Sequence, residues 1–124
     1  MTFRRKPTDA ELAILRVLWT RGASTVRDVV EAMGRGGAYT TILKLMQIMT
    51  EKGLVGRDES QRAHIYRPLA TRQRTQRQLV ADLVERAFGG SPARLAMQAL
   101  SARKTSPEEL AELRQLLDSL EGGE

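Results

Sequence analysis

Cysteine is absent from this 124-residue chain, which excludes disulfides, thiolate metal sites and cysteine nucleophiles together. Histidine occurs once, at His64, with no second ligand-type residue beside it, so no metal centre is expected. No paired carboxylates, no nucleophile with a base and no metal constellation emerge, and the reading is of a non-enzyme with no catalytic residue and no cofactor. Aromatics are only 4% of the chain, leaving Leu, Val, Met and Ala to build any core. No apolar run reaches the roughly 18 residues of a membrane span, and no signal-peptide pattern opens the sequence, so a cytoplasmic protein without membrane insertion is expected.

What is present is charge, unevenly placed. The formal net charge is +5. Residues 1–75 hold 14 Lys/Arg against 7 Asp/Glu, and residues 76–124 hold 6 against 8. A basic excess confined to the first half is the footprint of a polyanionic partner there, although solvated surfaces are also often basic. A chain of this length buries only about two thirds of its unfolded surface, so two halves with separate cores would each be marginal.

The segment AYTTILKLMQIMTEKGLV, residues 38–55, organises the first half. Ile42, Leu45, Met46 and Met49 recur at i, i+3, i+4 and i+7 and line one helical face. Thr40, Thr41, Lys44, Gln47 and Glu51 occupy the other. Gly53 fits the C′ position of a Schellman stop, with Leu54 set to touch Met49. Short hydroxyls, an amide and a lysine are the donors a major-groove helix presents to base edges and phosphates. On its own this face also fits an ordinary solvated helix, and its neighbours decide between the two.

Upstream, Arg4, Arg5 and Lys6 form a short basic arm, able to reach a phosphate or merely to keep the terminus soluble. TDAE at residues 8–11 is a capping box that starts a helix over 9–21, stopped by Gly22, with Leu12, Leu15, Leu18 and Trp19 as its apolar stripe. Residues 23–24 are a link or strand stub. A second box, TVRD, starts a helix over 26–33 that buries Val29, Val30 and Met33, and the glycines of residues 34–37 read as a turn rather than a phosphate cradle, since no GK[ST] follows. Downstream of Gly53 the period becomes extended. Residues 54–58 and 63–68 read as two short strands around a polar turn, with Val55 and Ile65 inward and Arg57, His64 and Arg67 outward. Helix, short helix, turn, helix and hairpin make a winged helix-turn-helix over residues 1–70. Its DNA-binding residues are expected to be Thr40, Thr41, Lys44, Gln47, Arg57, Arg67 and, at the wing tip, Arg62.

Residues 71–124 read as a helical dimerisation region. Arg72, Arg74 and Arg77, on the stretch after the wing, remain within reach of a DNA backbone. Leu79, Val80, Leu83, Val84, Ala87 and Phe88 make an apolar stripe ending at Gly89 and Gly90. Ser91 and Pro92 start a short helix carrying Leu95, Ala96, Ala99 and Leu100. Ser106, Pro107 and Glu109 supply an N-cap, an N1 proline and a capping-box glutamate for a last helix whose Leu110, Leu113, Leu117 and Leu120 form an a/d seam beside Leu116. Three such helices cannot cover their own stripes, so Leu79, Leu83, Leu110, Leu113 and Leu117 are expected in a homodimer interface, packing back onto the winged domain being the alternative.

The stretches PTDAELAILRVLW, TVRDVVEAM, AYTTILKLMQIMTEKGLV and HIYRP, covering residues 7–68 and continuing more weakly to the FGGS turn, resemble the penicillinase-repressor (BlaI/MecI/CopY) family of bacterial winged-helix repressors. The resemblance implies a homodimer that binds a pseudo-palindromic operator in double-stranded DNA and represses transcription. It also implies release by proteolysis in the β-lactam branch, through a membrane sensor protease or its downstream protease, or by metal in the copper branch. The copper branch's C-terminal cysteine cluster is absent, which excludes copper-thiolate sensing. Where the β-lactam branch is cut at an Asn-Phe step, this chain has Gln98-Ala99. Ile48 stands where the family often has a basic residue, so base readout is expected to differ. Two other classes remain open: a small-molecule-sensing winged-helix regulator with Phe88 and Met97 lining a pocket, and a winged-helix protein-interaction module.

Overall fold

The computed structural model describes residues 6–34 and 38–122. Most of the basic arm and of the glycine turn falls on residues 1–5 and 35–37, outside the described residues. The order of elements is α1 (Asp9–Arg21), α2 (Val26–Met33), α3 (Tyr39–Lys52), β1 (Val55–Asp58), β2 (Ile65–Pro68), α4 (Arg72–Ala87), α5 (Pro92–Ala102) and α6 (Pro107–Glu121). The chain divides into two compact units between Ala81 and Asp82, within α4.

The first unit is built by local signals. Thr8 accepts from the Glu11 N–H at 3.2 Å while the Glu11 carboxylate accepts from the Thr8 N–H at 3.0 Å, closing the box that starts α1. Thr25 and Asp28 repeat the arrangement at α2. At the end of α3 the Gly53 N–H reaches the Thr50 carbonyl and the Leu54 N–H reaches that of Met49, the paired bonds of a Schellman motif. Gly53 adopts φ +81°, a left-handed conformation that glycine reaches without steric cost.

The core of this unit joins Ile14, Leu15 and Leu18 of α1, Val26 and Val29 of α2, Ile42, Met46 and Met49 of α3, and Leu54, Val55, Tyr66 and Ala70 from the wing and its flanks. The buried stripe of α1 is Glu11, Ile14, Leu15 and Leu18. Leu12 and Trp19, expected in that stripe, flank it half-buried, because the apolar face includes the box glutamate and its centre is shifted. Trp19 still packs on the core and donates its indole N–H to the Ala70 carbonyl at 2.8 Å.

The wing is a two-stranded antiparallel hairpin in which Val55 pairs with Pro68 and Arg57 with Tyr66. Pairing and the period of two place Val55, Arg57, Tyr66 and Pro68 on one face. The inward residue of β2 is therefore Tyr66, 1% exposed, Ile65 is only half-buried, and Arg57 shares the face of Tyr66 with its side chain 30% exposed, which corrects the expectation that Ile65 faces the helices and Arg57 faces away from them. The cause is a bridge to the link between α1 and α2. Ser24 and Tyr66 exchange both backbone hydrogen bonds, at 2.9 and 2.8 Å, locking β2 with Tyr66 over the core.

Residues 72–77, the stretch after the wing that carries Arg72, Arg74 and Arg77, form the opening turns of α4. Thr71 caps them by accepting from the Arg74 N–H at 3.3 Å.

In the second unit α4 ends at Gly89 and Gly90, both at positive φ, with the Phe88 and Gly90 N–H groups on the Val84 carbonyl. Ser91 caps α5 and Ser106 caps α6 through the N–H groups of Arg94 and Glu109, each cap followed by proline. The Glu109 carboxylate meets the Ser106 hydroxyl at 3.4 Å, in place of the backbone N–H of a full capping box. No residue of α5 or α6 is fully buried, and Leu83, Met97, Leu100, Leu116, Leu117 and Leu120 are exposed.

Candidate nucleic-acid interface

The two faces of α3 are cleanly divided. Ile42, Met46 and Met49 are fully buried, while Thr40, Thr41, Lys44, Gln47 and Glu51 are exposed. Ile48 is half-buried, at the border between the faces. The two lysines of α3 differ in state. Lys52 turns inward, its ammonium 2.9 and 2.8 Å from the Glu11 carboxylate oxygens, and Lys44 stays on the outer face. Burial alone pushes the Glu11 carboxyl up, but hydrogen bonds from Lys52 and Thr8 and the Lys52 charge outweigh it and hold the group below its ordinary value. The Glu11–Lys52 pair has no signature in the sequence, since 41 residues separate the partners and no local spacing links them.

α3 starts without a side-chain cap, at Ala38. The start of a helix is a setting that favours anions.

The expected wing residues sit in three environments. Arg57 pairs with Glu59 at 2.6 Å, and its guanidinium is shifted up, first by a hydrogen bond with Tyr66 and then by Glu59. Arg67 lies on the opposite face of the hairpin, its guanidinium close over Gly56. Arg62 is exposed in the turn. The turn itself is set by Asp58, whose carboxylate accepts from the Ser60 N–H at 2.9 Å, the main reason its carboxyl is held down.

Arg62, Ala63, His64 and Tyr66 of the wing face Thr25, Val26 and Arg27 of α2 and Tyr39 and Leu43 of α3 across a half-open groove of about 420 Å³. The Arg27 guanidinium lies 5.7 Å from the centre of the Tyr39 ring, within cation–π range. Arg27, Tyr39 and His64 line this groove with Arg62, the one expected site residue in it. Their signal is spatial, because they converge only once the wing folds against α2.

A model of the penicillinase repressor family matches residues 7–119. The chain belongs to this family. It is 34% identical over 118 residues to the transcriptional regulator BlaI of Mycobacterium tuberculosis, from strains CDC 1551 / Oshkosh and H37Rv, covering 93% of this chain and 85% of the relative. Among solved structures, a MarR family protein from Bacillus stearothermophilus superposes with a TM-score of 0.51 at 22% identity, covering 94% of this chain and 74% of that one. That likeness bears on the fold, a winged helix-turn-helix followed by helices. The mainly α fold with a small hairpin, expected from the helical periods, capping boxes and strand pattern of the sequence, is the one observed.

The remaining expected positions lie in the helical region. Leu79, Leu110 and Leu113 are half-buried, and Leu83 and Leu117 are exposed. Gln98 and Ala99 are exposed near the middle of α5. Among the described residues no group of three or more His, Cys, Asp and Glu is placed to hold a metal, and no helix is long and apolar enough to cross a membrane.

Proposed function

We propose that this member of the penicillinase repressor family is a DNA-binding transcriptional repressor that holds a pseudo-palindromic operator as a homodimer. Residues 1–70 read DNA and residues 71–124 pair the subunits. The observation that carries the reading is the outer face of α3. Thr40, Thr41, Lys44 and Gln47 are exposed on a helix whose other side is locked into the core, so their side chains are aimed by a rigid element. Lys44 and Gln47 suit base edges, Thr40 and Thr41 suit phosphate or base contacts near the open helix start, and Arg57, Arg62 and Arg67 place charge along the wing.

The experiment is operator binding by Thr41→Ala, Lys44→Ala and Gln47→Ala, with folding checked by circular dichroism. Truncating a side chain that reads a base should cost about 1–3 kcal/mol of discrimination, and three variants that all bind a mapped operator like wild type would overturn the reading.

Release is proposed to follow proteolysis at or near Gln98–Ala99, by a membrane sensor protease or one downstream of it, in the cytoplasm. The bond lies within helical α5, so a protease must unwind part of that helix, and cutting there detaches α6 from the rest of the chain.

A further inference from the structure

We infer that the groove between α1 and the opening turns of α4 is a binding site for a small aromatic carboxylate. Arg16 and Arg72 are its anion-binding groups, and Leu12, Trp19 and Leu79 are its apolar bed. No residue of α2, α3 or the wing lines this groove, so it is separate from the DNA-binding surface proposed above and does not depend on that reading.

Helical phase builds the groove from both sides. Leu12, Arg16, Trp19 and Thr20 share one face of α1, and Arg72, Gln76 and Leu79 share one face of α4, each set spaced by three or four residues along its helix. Between them lies a half-open groove of about 340 Å³, within the range of about 300–1,000 Å³ of small-molecule sites. Trp19 is held in place there. Its indole N–H is engaged by the Ala70 carbonyl at 2.8 Å, which leaves the ring to meet an occupant. The Arg72 guanidinium lies 5.9 Å from the centre of that ring, in cation–π range.

The lining selects the chemistry of the occupant. Among the described residues two guanidiniums line the groove and no carboxylate does. The buried acid of α1, Glu11, is paired with Lys52 at 2.8 Å, and neither Arg16 nor Arg72 has an ion-pair partner among the described residues. These donors fit an anion, and a planar carboxylate matches the fork of a guanidinium. A bare inorganic anion would leave Leu12, Leu79 and the indole uncovered. An aromatic body covers them, with the Gln76 amide and the Thr20 hydroxyl in the same lining to meet a polar substituent on its ring.

Trp19 is the only tryptophan of the chain, so its emission reports on the groove directly and no DNA is needed. Benzoate, its neutral analogue benzamide and inorganic phosphate are titrated into the whole chain at fixed ionic strength and neutral pH. Benzoate should shift the emission saturably, and the other two should not at the same concentrations. Arg16→Gln and Arg72→Gln should each weaken benzoate by about tenfold, the least expected for a lost hydrogen bond to a charged group, with urea midpoints unchanged. Arg94→Gln, an exposed arginine of α5, should bind benzoate like wild type.

Absence of a saturable benzoate response would overturn the inference, as would wild-type affinity in both groove variants. An equal response to benzamide would mark a merely apolar cleft, an equal response to phosphate a bare anion site, and an equal loss in Arg94→Gln net charge alone, each against the inference. Emission that shifts on diluting the protein but ignores benzoate would show the groove covered by a second copy of the chain, which also overturns it.

Discussion

Glu11 and Thr75 are buried polar residues with opposite balances. Glu11 is 2% exposed, yet its carboxylate meets two Lys52 bonds and the Thr8 N–H. Replacing it with Gln strands a lysine whose side chain keeps 16% exposure, and the expected loss of unfolding free energy is about 3 kcal/mol, the low end for a broken buried pair. The sign of the pH effect follows from the lowered folded pKa. Stability from Glu11 is present above the ordinary glutamate range of about 4.3 and is lost as pH falls through the lower folded value. Urea unfolding of wild type and Glu11→Gln at about pH 7 and about pH 3 should show the gap between them closing in acid. Thr75 is wholly buried and its hydroxyl has no hydrogen-bond partner among the described residues. Thr75→Val keeps the shape and removes the unsatisfied group, so the melting temperature should rise, corresponding to about 1–3 kcal/mol. A fall in stability would mean that the hydroxyl is satisfied in solution.

At the scale of elements, the end of α3 gives the most direct test. A Cβ on Gly53 would meet no atom within 4 Å, so Gly53→Ala has no clash to relieve and its cost is conformational alone. About 1–2 kcal/mol is expected for the left-handed backbone, with Gly53→Asn milder, read by denaturant midpoints at unchanged m-value. Elements of this kind are legible in a sequence because their signals are local. Thr8, Thr25, Ser91 and Ser106 each act on an N–H three residues ahead, and Gly53 acts within one turn. The start of α4 is hidden because residues 72–77 carry no apolar period, Thr75 being the one buried residue there. The face of β2 is ambiguous in the sequence because Ile65 and Tyr66 are adjacent apolar residues, and pairing with Ser24 chooses between them. For the proposed contacts, the outer face of α3 follows from helical phase. The groove around Arg27 and Tyr39 needs three elements brought together and has no sequence signature.

For the whole molecule, the proposed homodimer turns two weak DNA-binding heads into one tight repressor. The second unit supplies a motive for pairing. Leu83 is 48% and Leu117 58% exposed, with Met97, Leu100, Leu116 and Leu120 also open to solvent, an amount of apolar surface that favours association through α4, α5 and α6. A two-fold dimer would present two α3 helices about 34 Å apart, one turn of DNA, so the second head binds as an intramolecular event. Linkage of this kind raises affinity by about 10² to 10⁴ over a single head. Leu83→Asp with Leu117→Asp places charge on two side chains that are exposed in the single chain, so the subunit should keep its fold while losing its partner. Sedimentation should show a monomer, and operator binding measured on the same samples should weaken by that factor, with circular dichroism unchanged. A double variant that remains dimeric removes these leucines from the interface. One that becomes monomeric and still binds the operator at full strength removes pairing as the source of affinity, and with it the mechanism by which a cut in α5 would release the DNA.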